Sequence, residues 1–467
     1  MTSATLGKFS SLPVRPELLD ALRAVGYEEM TAIQRASAGP VLDGRDLIAQ
    51  AETGSGKTAA FGIGVLNKLN VSSFTTQALI ICPTRELSEQ VAAEVRRLAS
   101  ALSNTRVLCL CGGKSLHDQL NSLKREPHVI VGTPGRLLKH LDKGSLNLEA
   151  IQTLVLDEAD RMLDMGFIED IQRIVDRTNS ARQTLLFSAT YTDEILAISR
   201  DIQRDAVRLQ LDVANTDAHI KQQFIFSNDE QKTTSLFRVI EKYRPSQAII
   251  FCNRKDSINA LCSKLVSEGF YAKALHGDLD QRDRDEALLL FNHQSISFLV
   301  ATDVAARGLD IHALPAVINY DLSPDTETHV HRVGRTGRAG LDGLAVTFVG
   351  PDEIHRVKKL EEFLGAIIKY TEIPAAADGL HSSARSSLLP AMTTLLINSG
   401  KKDKVRPGDI VGALTASSEL SNESIGKITV QARNAFVSIV TDKVDTALAI
   451  LSNGRVKRQK VRARILR

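Results

Sequence analysis

Residues 47–68 read LIAQAETGSGKTAAFGIGVLNK, which is a short apolar run, a glycine-rich loop and a helical pattern in that order. Where a strand leads through such a loop into a helix, backbone amides and the helix N-terminus favour a bound phosphate. We call residues 51–58 the phosphate loop. The lysine of such a loop reaches the β and γ phosphates, and the hydroxyl after it ligates Mg²⁺. The stretch therefore predicts an α/β domain whose nucleotide site comprises the following residues: Thr53, Gly54, Ser55, Gly56, Lys57 and Thr58.

A second polar cluster follows the apolar run at residues 154–156, where the sequence reads Asp157-Glu158-Ala159-Asp160. We call these four residues the acidic box. Carboxylates at the end of a buried strand suit the same site, with Asp157 as a ligand of Mg²⁺ and Glu158 activating the attacking water. Alone, the first stretch could be a glycine-rich turn and the second an acidic helix start. Together they favour a nucleotide-hydrolysing domain.

Domain organisation follows from the alternation of short apolar runs with amphipathic segments, in one series over residues 46–188 and another over 248–349. This alternation predicts two α/β domains with parallel sheets. Residues 371–390 are rich in Ala and Ser, which indicates a flexible linker. The unit after them has the order βαββαβ, which RNA-recognition motifs share with ferredoxin-like folds. We therefore predict domains at residues 1–210, 218–370 and 391–467.

Charge is concentrated at the end of the chain. Residues 401–467 carry fourteen Lys or Arg and six Asp or Glu, whereas the whole chain of 467 residues has a net charge of only +3. Such a basic unit favours a polyanionic partner. There is no run of about 18 apolar residues and no signal-peptide pattern, so we expect a soluble, cytoplasmic protein. The five cysteines lack metal-binding spacing and are expected to be buried free thiols.

The motifs occur in the order typical of the DEAD-box family of ATP-dependent RNA helicases, which the chain resembles over nearly its whole length. The resemblance implies two tandem RecA-like domains. Phe9 and the stretch GYEEMTAIQ at residues 26–34 resemble the family's Q motif. This implies that Gln34 reads the edge of adenine, that Phe9 stacks on its ring, and that the nucleotide is ATP.

Further stretches resemble the family's RNA and coupling motifs. PTREL at 83–87, GG at 112–113 and TPGR at 133–136 imply RNA contacts in the first domain, and SAT at 188–190 implies coupling of hydrolysis to RNA binding. TDVAARGLD at 302–310 implies one RNA contact and one ATP contact in the second domain. The implied RNA contacts are Arg85, Gly113, Thr133, Arg136 and Thr302, the ATP contact is Asp310, and the coupling residues are Ser188 and Thr190.

HRVGRTGR at residues 331–338 resembles the family's arginine-finger motif, although it could also be a simple RNA-binding patch. The resemblance implies that Arg335 and Arg338 act with Lys57 and Glu158 in catalysis. Because the fingers and the phosphate loop lie in different domains, it also implies a site completed by domain closure.

The C-terminal unit resembles the tail domain of the DbpA group of bacterial ribosome-assembly helicases, through LLINSGKK at 395–402, RPGDIVGALT at 406–415 and IGKI at 425–428. This implies binding to a hairpin of 23S ribosomal RNA during assembly of the large subunit. Phe436 is the only aromatic residue in the two central strands, so we predict binding by basic loops instead of base stacking. The predicted contacts are Lys401, Lys402, Lys404, Arg406, Arg455, Lys457, Arg458 and Lys460.

Two other functions remain open from the sequence. An ATP-gated RNA clamp or assembly scaffold with little unwinding would use the same residues. A translocating DNA helicase would share the two-domain core, although Gln34 and the acidic box argue against it. No heptad repeat is present, and we expect a monomer.

Overall fold

Three sheets organise the part of the chain that the computed structural model describes, namely residues 7–51, 54–210, 220–306, 314–337, 342–372, 389–416, 419–457 and 459–466. The chain divides into two compact units near residue 214, and the second unit contains two of the sheets. The predicted fold class, two parallel-sheet RecA-like domains followed by a small α+β domain, is confirmed. The exact domain boundaries stay predictions.

The first domain contains a parallel sheet with helices on both faces. Its strands are β1 (Leu47–Gln50), β2 (Ala78–Ile81), β3 (Val107–Leu110), β4 (Val129–Gly132), β5 (Thr153–Leu156), β6 (Gln183–Ser188) and β7 (Val207–Gln210). Its helices are α1 (Pro16–Ala24), α2 (Ala32–Leu42), α3 (Lys57–Lys68), α4 (Arg85–Leu98), α5 (Leu116–Leu123), α6 (Pro134–Asp142), α7 (Ala159–Asp164), α8 (Ile168–Val175) and α9 (Asp193–Ile202). The strand order is β3-β4-β2-β5-β6-β1-β7.

Burial on both faces explains why these strands are uninterrupted apolar runs. In β2, Ile80 belongs to one hydrophobic core, whereas Leu79 and Ile81 belong to another. Successive strand residues point to opposite faces, so the two cores lie on the two sides of the sheet. The carboxyl ends of the strands are left for polar chemistry.

The second domain contains a six-stranded parallel sheet in the order β10-β11-β9-β12-β13-β8. Its strands are β8 (Ile220–Phe226), β9 (Ala248–Phe251), β10 (Ala272–Leu275), β11 (Phe298–Ala301), β12 (Ala316–Asn319) and β13 (Gly343–Val349). Its helices are α10 (Asp229–Tyr243), α11 (Lys255–Ser267), α12 (Gln281–Asn292), α13 (Asp303–Ala306), α14 (Thr326–Val333) and α15 (Ile354–Leu364).

The alternation of apolar runs did not predict strands β7 and β8. Both lie at the edges of their sheets and contain polar residues, Arg and Gln in β7 and Lys and Gln in β8, so they lack the apolar run of a central strand. Beyond α15 the chain lies beside β8, where the N–H of Thr371 donates to the carbonyl of Phe224 at 2.7 Å. Most of the predicted linker, residues 373–388, lies outside the described residues.

The third domain has an antiparallel sheet in the order β15-β16-β14-β17. Its elements are β14 (Met392–Ile397), α16 (Pro407–Leu414), β15 (Ile425–Val430), β16 (Ala435–Val440), α17 (Val444–Asn453) and β17 (Ala463–Ile465). The predicted βαββαβ order is therefore correct. One face of the sheet forms a core with the two helices, through residues such as Leu395 and Val437.

The other face of this third sheet packs against the second domain. The Oγ atoms of Ser295 and Thr394 lie 2.6 Å apart, and Nε2 of His293 lies 2.8 Å from Oγ1 of Thr429. Thr394 is completely buried. The two domains of the second unit are thus joined by side-chain hydrogen bonds from two strands.

Two expectations from composition can also be compared with the structure. The five cysteines are free, and four of them are buried. Within the described ranges, no helix has the length and apolar character needed to cross a membrane.

Candidate nucleotide and RNA sites

The order of strands in the first domain separates two groups of functional residues. Strands β5, β6 and β1 are neighbours, so Asp157, Ser188 and the phosphate loop follow adjacent strand ends. Strands β3, β4 and β2 are also neighbours, and the implied RNA motifs follow their ends. The sheet therefore places the implied ATP residues on one half of its carboxyl edge and the implied RNA residues of this domain on the other.

The phosphate loop depends on glycine at two positions with a left-handed backbone. Gly54 has a φ of 84° and Gly56 a φ of 95°. Helix α3 begins directly after Gly56, which directs its first N–H groups into the loop. The buried Nζ of Lys57 donates to the carbonyl of Ala51 at 3.0 Å, so the lysine lies across the loop. Thr53 lies outside the described residues.

Gln34 contacts the phosphate loop directly. Its Nε2 donates to the carbonyl of Gly56 at 3.0 Å, and its Oε1 accepts from the N–H of Thr31 at 2.8 Å. The hydroxyl of Thr31 donates to the carbonyl of Ser55 at 2.7 Å. A Cβ atom on Gly56 would collide with Nε2 of Gln34. Glycine is therefore required there for close approach as well as for backbone conformation.

Phe9 lies beside Gln34, because both residues line one small cavity with Met30. The ring of Phe9 is 3% exposed and stacks on Tyr27 with centroids 5.6 Å apart. The hydroxyl of Tyr27 donates to Glu94 at 2.9 Å, and burial next to this carboxylate raises the pKa of Tyr27 to about 12. The structure thus brings the two implied adenine residues together.

The acidic box places a strained residue and a buried carboxylate beside the loop. Glu158 has a φ of 55°, which is rare outside glycine and is typical of functional sites when the fold enforces it. Asp157 is 3% exposed, and burial raises its pKa to about 6 although Lys57 acts in the opposite direction. Within the described residues, Oδ1 of Asp157 is buried without a hydrogen-bond partner.

The carboxylate of Asp157 and the hydroxyl of Thr58 are suitable ligands for Mg²⁺. Magnesium prefers hard oxygen ligands and usually takes one or two carboxylates together with substrate phosphates and water. The described residues contain no group of three or more His, Cys, Asp or Glu side chains able to hold a metal. Asp157, with the hydroxyl of Thr58, could hold Mg²⁺, and the bound ion would neutralise charge on the phosphates.

The implied coupling segment, Ser188-Ala189-Thr190, is hydrogen-bonded to the acidic box. The N–H of Ala189 donates to Oδ2 of Asp160 at 3.2 Å, and the N–H of Ala51 donates to the carbonyl of Ser188 at 2.9 Å. Ser188 is fully buried, and Thr190 is half-buried. The segment therefore contacts both parts of the nucleotide site.

The implied RNA residues of the first domain cluster around the loop after β3. The guanidinium of Arg85 lies against Gly112, where an added Cβ would be 2.6 Å from a terminal nitrogen. Arg136 donates to Lys114 O at 3.3 Å and to Gln119 Oε1 at 2.9 Å. The neighbouring positions are Gly113, with a φ of 78°, and Thr133, whose N–H donates to Leu110 O at 3.2 Å.

In the second domain, Arg332 is a residue that sequence reasoning missed. Its side chain is 1% exposed and forms a bidentate pair with Asp303 at 2.6 and 2.7 Å. It also donates to the carbonyl of Asp321 and to Oδ1 of Asn253, both at 2.7 Å. Since every branch of the guanidinium is bound, Arg332 is a structural centre of this domain.

Arg332 lies between two implied functional residues. Its partner Asp303 directly follows Thr302 in the sequence. Arg335 comes three residues after Arg332, just beyond the end of α14. Thr302 Oγ1 accepts from the N–H of Ala305 at 3.4 Å, and Arg335 is buried. The other two implied ATP residues, Asp310 and Arg338, lie outside the described residues.

The basic loops of the third domain meet at one end of its sheet. The N–H groups of Lys401 and Lys402 donate to the carbonyls of Gln431 and Ala432 at 2.8 and 2.9 Å. Nζ of Lys457 donates to the carbonyl of Lys404 at 2.6 Å. The exposed basic side chains of the three loops are Lys401, Lys402, Lys404, Arg406, Arg433, Arg455, Lys457 and Lys460. We call them the basic end.

Arg433 was missed because it lies in neither basic run of the sequence. The hairpin turn at residues 431–434 brings its backbone close to Gly400, which precedes Lys401 and Lys402. Arg458 lies outside the described residues. Phe436 is 7% exposed and shares its face of the sheet with Thr394, which packs on the second domain. The second domain therefore covers this face of the sheet at Thr394, and RNA binding by the basic loops stays a prediction.

Comparison with known families agrees with these three parts of the chain. The DEAD/DEAH box helicase family matches residues 31–198, and the helicase conserved C-terminal domain matches residues 231–340. The DbpA RNA binding domain matches residues 394–465.

Curated relatives match almost the full length. The ATP-dependent RNA helicase DbpA of Escherichia coli (strain K12) is 46% identical over 460 residues, which cover 98% of this chain and 99% of the relative. The ATP-dependent RNA helicase DbpA of Bacillus subtilis (strain 168) is 35% identical over 469 residues, covering 97% and 98%. Among solved structures, S. cerevisiae Dbp5 bound to RNA and ADP BeF3 has a TM-score of 0.71 and 30% identity, covering 82% of this chain and all of that one.

Proposed function

Since the chain belongs to the DEAD-box family of ATP-dependent RNA helicases and ends in a DbpA-type domain, we propose that it remodels 23S ribosomal RNA during assembly of the large ribosomal subunit. It couples ATP hydrolysis to local unwinding of structured RNA. We also infer that it acts as a monomer in the cytoplasm, where bacterial ribosomes are assembled.

ATP is bound by the phosphate loop and the Q motif. Lys57, Thr53 and the amides at the start of α3 hold the phosphates, Gln34 and Phe9 hold adenine, and Asp310 makes a further contact with ATP. Glu158 positions the attacking water, and its enforced backbone conformation keeps it at the loop. Arg335 and Arg338 stabilise charge on the transferring phosphoryl group, an effect worth about 10³ to 10⁵ in rate.

RNA is bound along the strand ends that carry Arg85, Gly113, Thr133 and Arg136, and by Thr302 in the second domain. Hydroxyls, backbone amides and arginines suit sugar and phosphate groups without reading bases. Contacts with the 2′-hydroxyl give a preference for RNA over DNA. The related Dbp5 of S. cerevisiae has been solved bound to RNA and ADP BeF3, which supports RNA binding by this chain.

The observation that supports 23S ribosomal RNA as the target is the basic end of the third domain. Loops separated by up to sixty residues in sequence bring eight exposed cations together. The sheet face that carries Phe436 is covered by the second domain. A structured anionic ligand such as an RNA hairpin is thus recognised by the basic end.

The test compares the full chain with a truncation that lacks residues 391–467. ATPase rates are measured with 23S RNA, with the same RNA lacking the hairpin, and with an unrelated RNA. We expect the full chain to prefer the first RNA and the truncated chain to retain RNA-stimulated ATPase activity without that preference. If the truncated chain kept the same preference for 23S RNA, the third domain would not be the part that recognises this target.

A strand-displacement assay distinguishes RNA unwinding from the alternative function of an ATP-gated RNA clamp. A short strand annealed beside the hairpin is released in the presence of ATP if the protein unwinds RNA. Persistent ATP-dependent binding without release would favour the ATP-gated clamp.

A further inference from the structure

Ala189, the middle residue of the coupling segment, has both of its backbone polar groups bound by side chains. Its N–H donates to Oδ2 of Asp160 at 3.2 Å, and its carbonyl accepts from Nε2 of Gln50 at 3.0 Å. Asp160 belongs to the acidic box, whereas Gln50 directly precedes the phosphate loop. A side chain of the acidic box and one from the strand before the phosphate loop therefore meet at a single residue.

The position of Gln50 explains how it reaches the segment. It is the last residue of β1, where it is paired with Ser188 on one side and Gln210 on the other. The ladder between β1 and β6 ends with the bond from the N–H of Ala51 to the carbonyl of Ser188. Beyond that bond, the next contact between the two strands is the hydrogen bond from the Gln50 side chain to Ala189.

The far side of the segment is attached to the same sheet. The hydroxyl of Tyr191 lies 2.7 Å from the carbonyl oxygen of Ile48 and 2.6 Å from that of Leu209, and it donates to one of them at a time. Between these attachments, Oγ1 of Thr190 is buried, and within the described residues it has no hydrogen-bond partner. Thr190 is the part of the segment left to change partners.

We propose that Gln50 is a positioning residue that transmits the state of the phosphate loop to the segment Ser188-Ala189-Thr190, and thereby links bound nucleotide to RNA affinity. This inference rests on the proposed helicase function and on the coupling role that the family resemblance implies for Ser188 and Thr190. Gln50 contacts neither substrate in this scheme; it acts through the carbonyl of Ala189. Since coupling between two ligands is reciprocal, its loss is measurable as binding without turnover.

The test uses the full chain with Gln50→Leu, which removes the amide and keeps a similar volume. RNA affinity is measured with a non-hydrolysable ATP analogue and with ADP, and nucleotide affinity is measured without RNA. We expect the ratio of the two RNA affinities to fall about tenfold, the size of one lost hydrogen bond, while nucleotide affinity without RNA stays unchanged. Gln50→Glu, which also removes the donor, is expected to reduce the ratio likewise.

Gln203 offers a matched control. Its Nε2 donates to the carbonyls of Leu47 and Thr184, both at 2.8 Å, at the opposite end of the same two strands. Gln203→Leu is expected to lower Tm and leave the affinity ratio as in the wild type. A wild-type ratio in Gln50→Leu, or an equal fall in Gln203→Leu, would overturn the inference. Absence of strand displacement by the wild-type protein would instead count against the proposed unwinding function alone.

Discussion

Nε2 of His293 in the second domain lies 2.8 Å from Oγ1 of Thr429 in the third, inside a buried contact between the two domains. Burial, with Lys427 nearby, lowers the pKa of His293 to about 4 from an ordinary value of 6.5. The packed imidazole is therefore neutral. Once the domains separate, the exposed ring regains its ordinary pKa.

The first prediction concerns the pH dependence of this contact. Between pH 6.5 and 4 the separated state binds a proton that the packed state does not, so packing weakens as pH falls through this window. The loss is at most about 1.4 kcal/mol per pH unit. Hydrogen–deuterium exchange of residues 425–440, measured from pH 7.5 to 5, should show increasing exposure after correction for the intrinsic rate. His293→Gln should remove this dependence, and an unchanged dependence in that variant would refute it.

The second prediction tests the contact between the Q motif and the phosphate loop. Gly56→Ala places a Cβ against Gln34 and also strains a backbone with a φ of 95°. Gly166→Ala is matched, because Gly166 has a φ of 73° and open space around the added atom. Both variants should lose roughly 1 kcal/mol of stability through backbone strain, and Gly56→Ala should lose more because its Cβ displaces the Gln34 amide. Calorimetric titration should show at least about tenfold weaker ATP binding for Gly56→Ala only.

The third prediction contrasts two arginines three residues apart. Arg335→Ala should reduce kcat by about 10³ to 10⁵ in single-turnover ATP hydrolysis, with little change in ATP affinity. Arg332→Ala leaves the partly buried Asp303 carboxylate without its bidentate partner and removes a fully buried side chain, which costs about 3–5 kcal/mol in urea unfolding. If Arg335→Ala destabilised the chain as much as Arg332→Ala, the finger assignment would lose its support.

The fourth prediction concerns the basic end. Arg433→Ala should weaken hairpin RNA binding and reduce the slope of log affinity against log salt by about 0.7 to 0.9, the value for one phosphate contact. Lys443 is a matched control, because it follows Val440, which is paired with Met392 at the opposite end of the sheet. Lys443→Ala should leave affinity and slope unchanged. Equal effects of the two substitutions would argue for a diffuse charge effect.

Much of the architecture could be predicted because its signals are local. The strand, loop and helix around Gly54 and Lys57, the carboxylates after residues 154–156, and the βαββαβ order of the third domain all depend on residues close in sequence. Strands β7 and β8 were missed because an edge strand does not require the apolar run of a central one.

The sequence by itself determined the two parallel-sheet domains, the residue types of the ATP site and the basic character of the third domain, because each is written in short-range patterns of polarity, glycine and charge. Only the tertiary structure decided that Gln34 touches Gly56, that Arg332 is bound on every branch, that Gln50 holds Ala189, and that the face carrying Phe436 is covered. The physical reason is that these contacts join residues far apart in sequence, and the meeting of their polar groups depends on strand order and register.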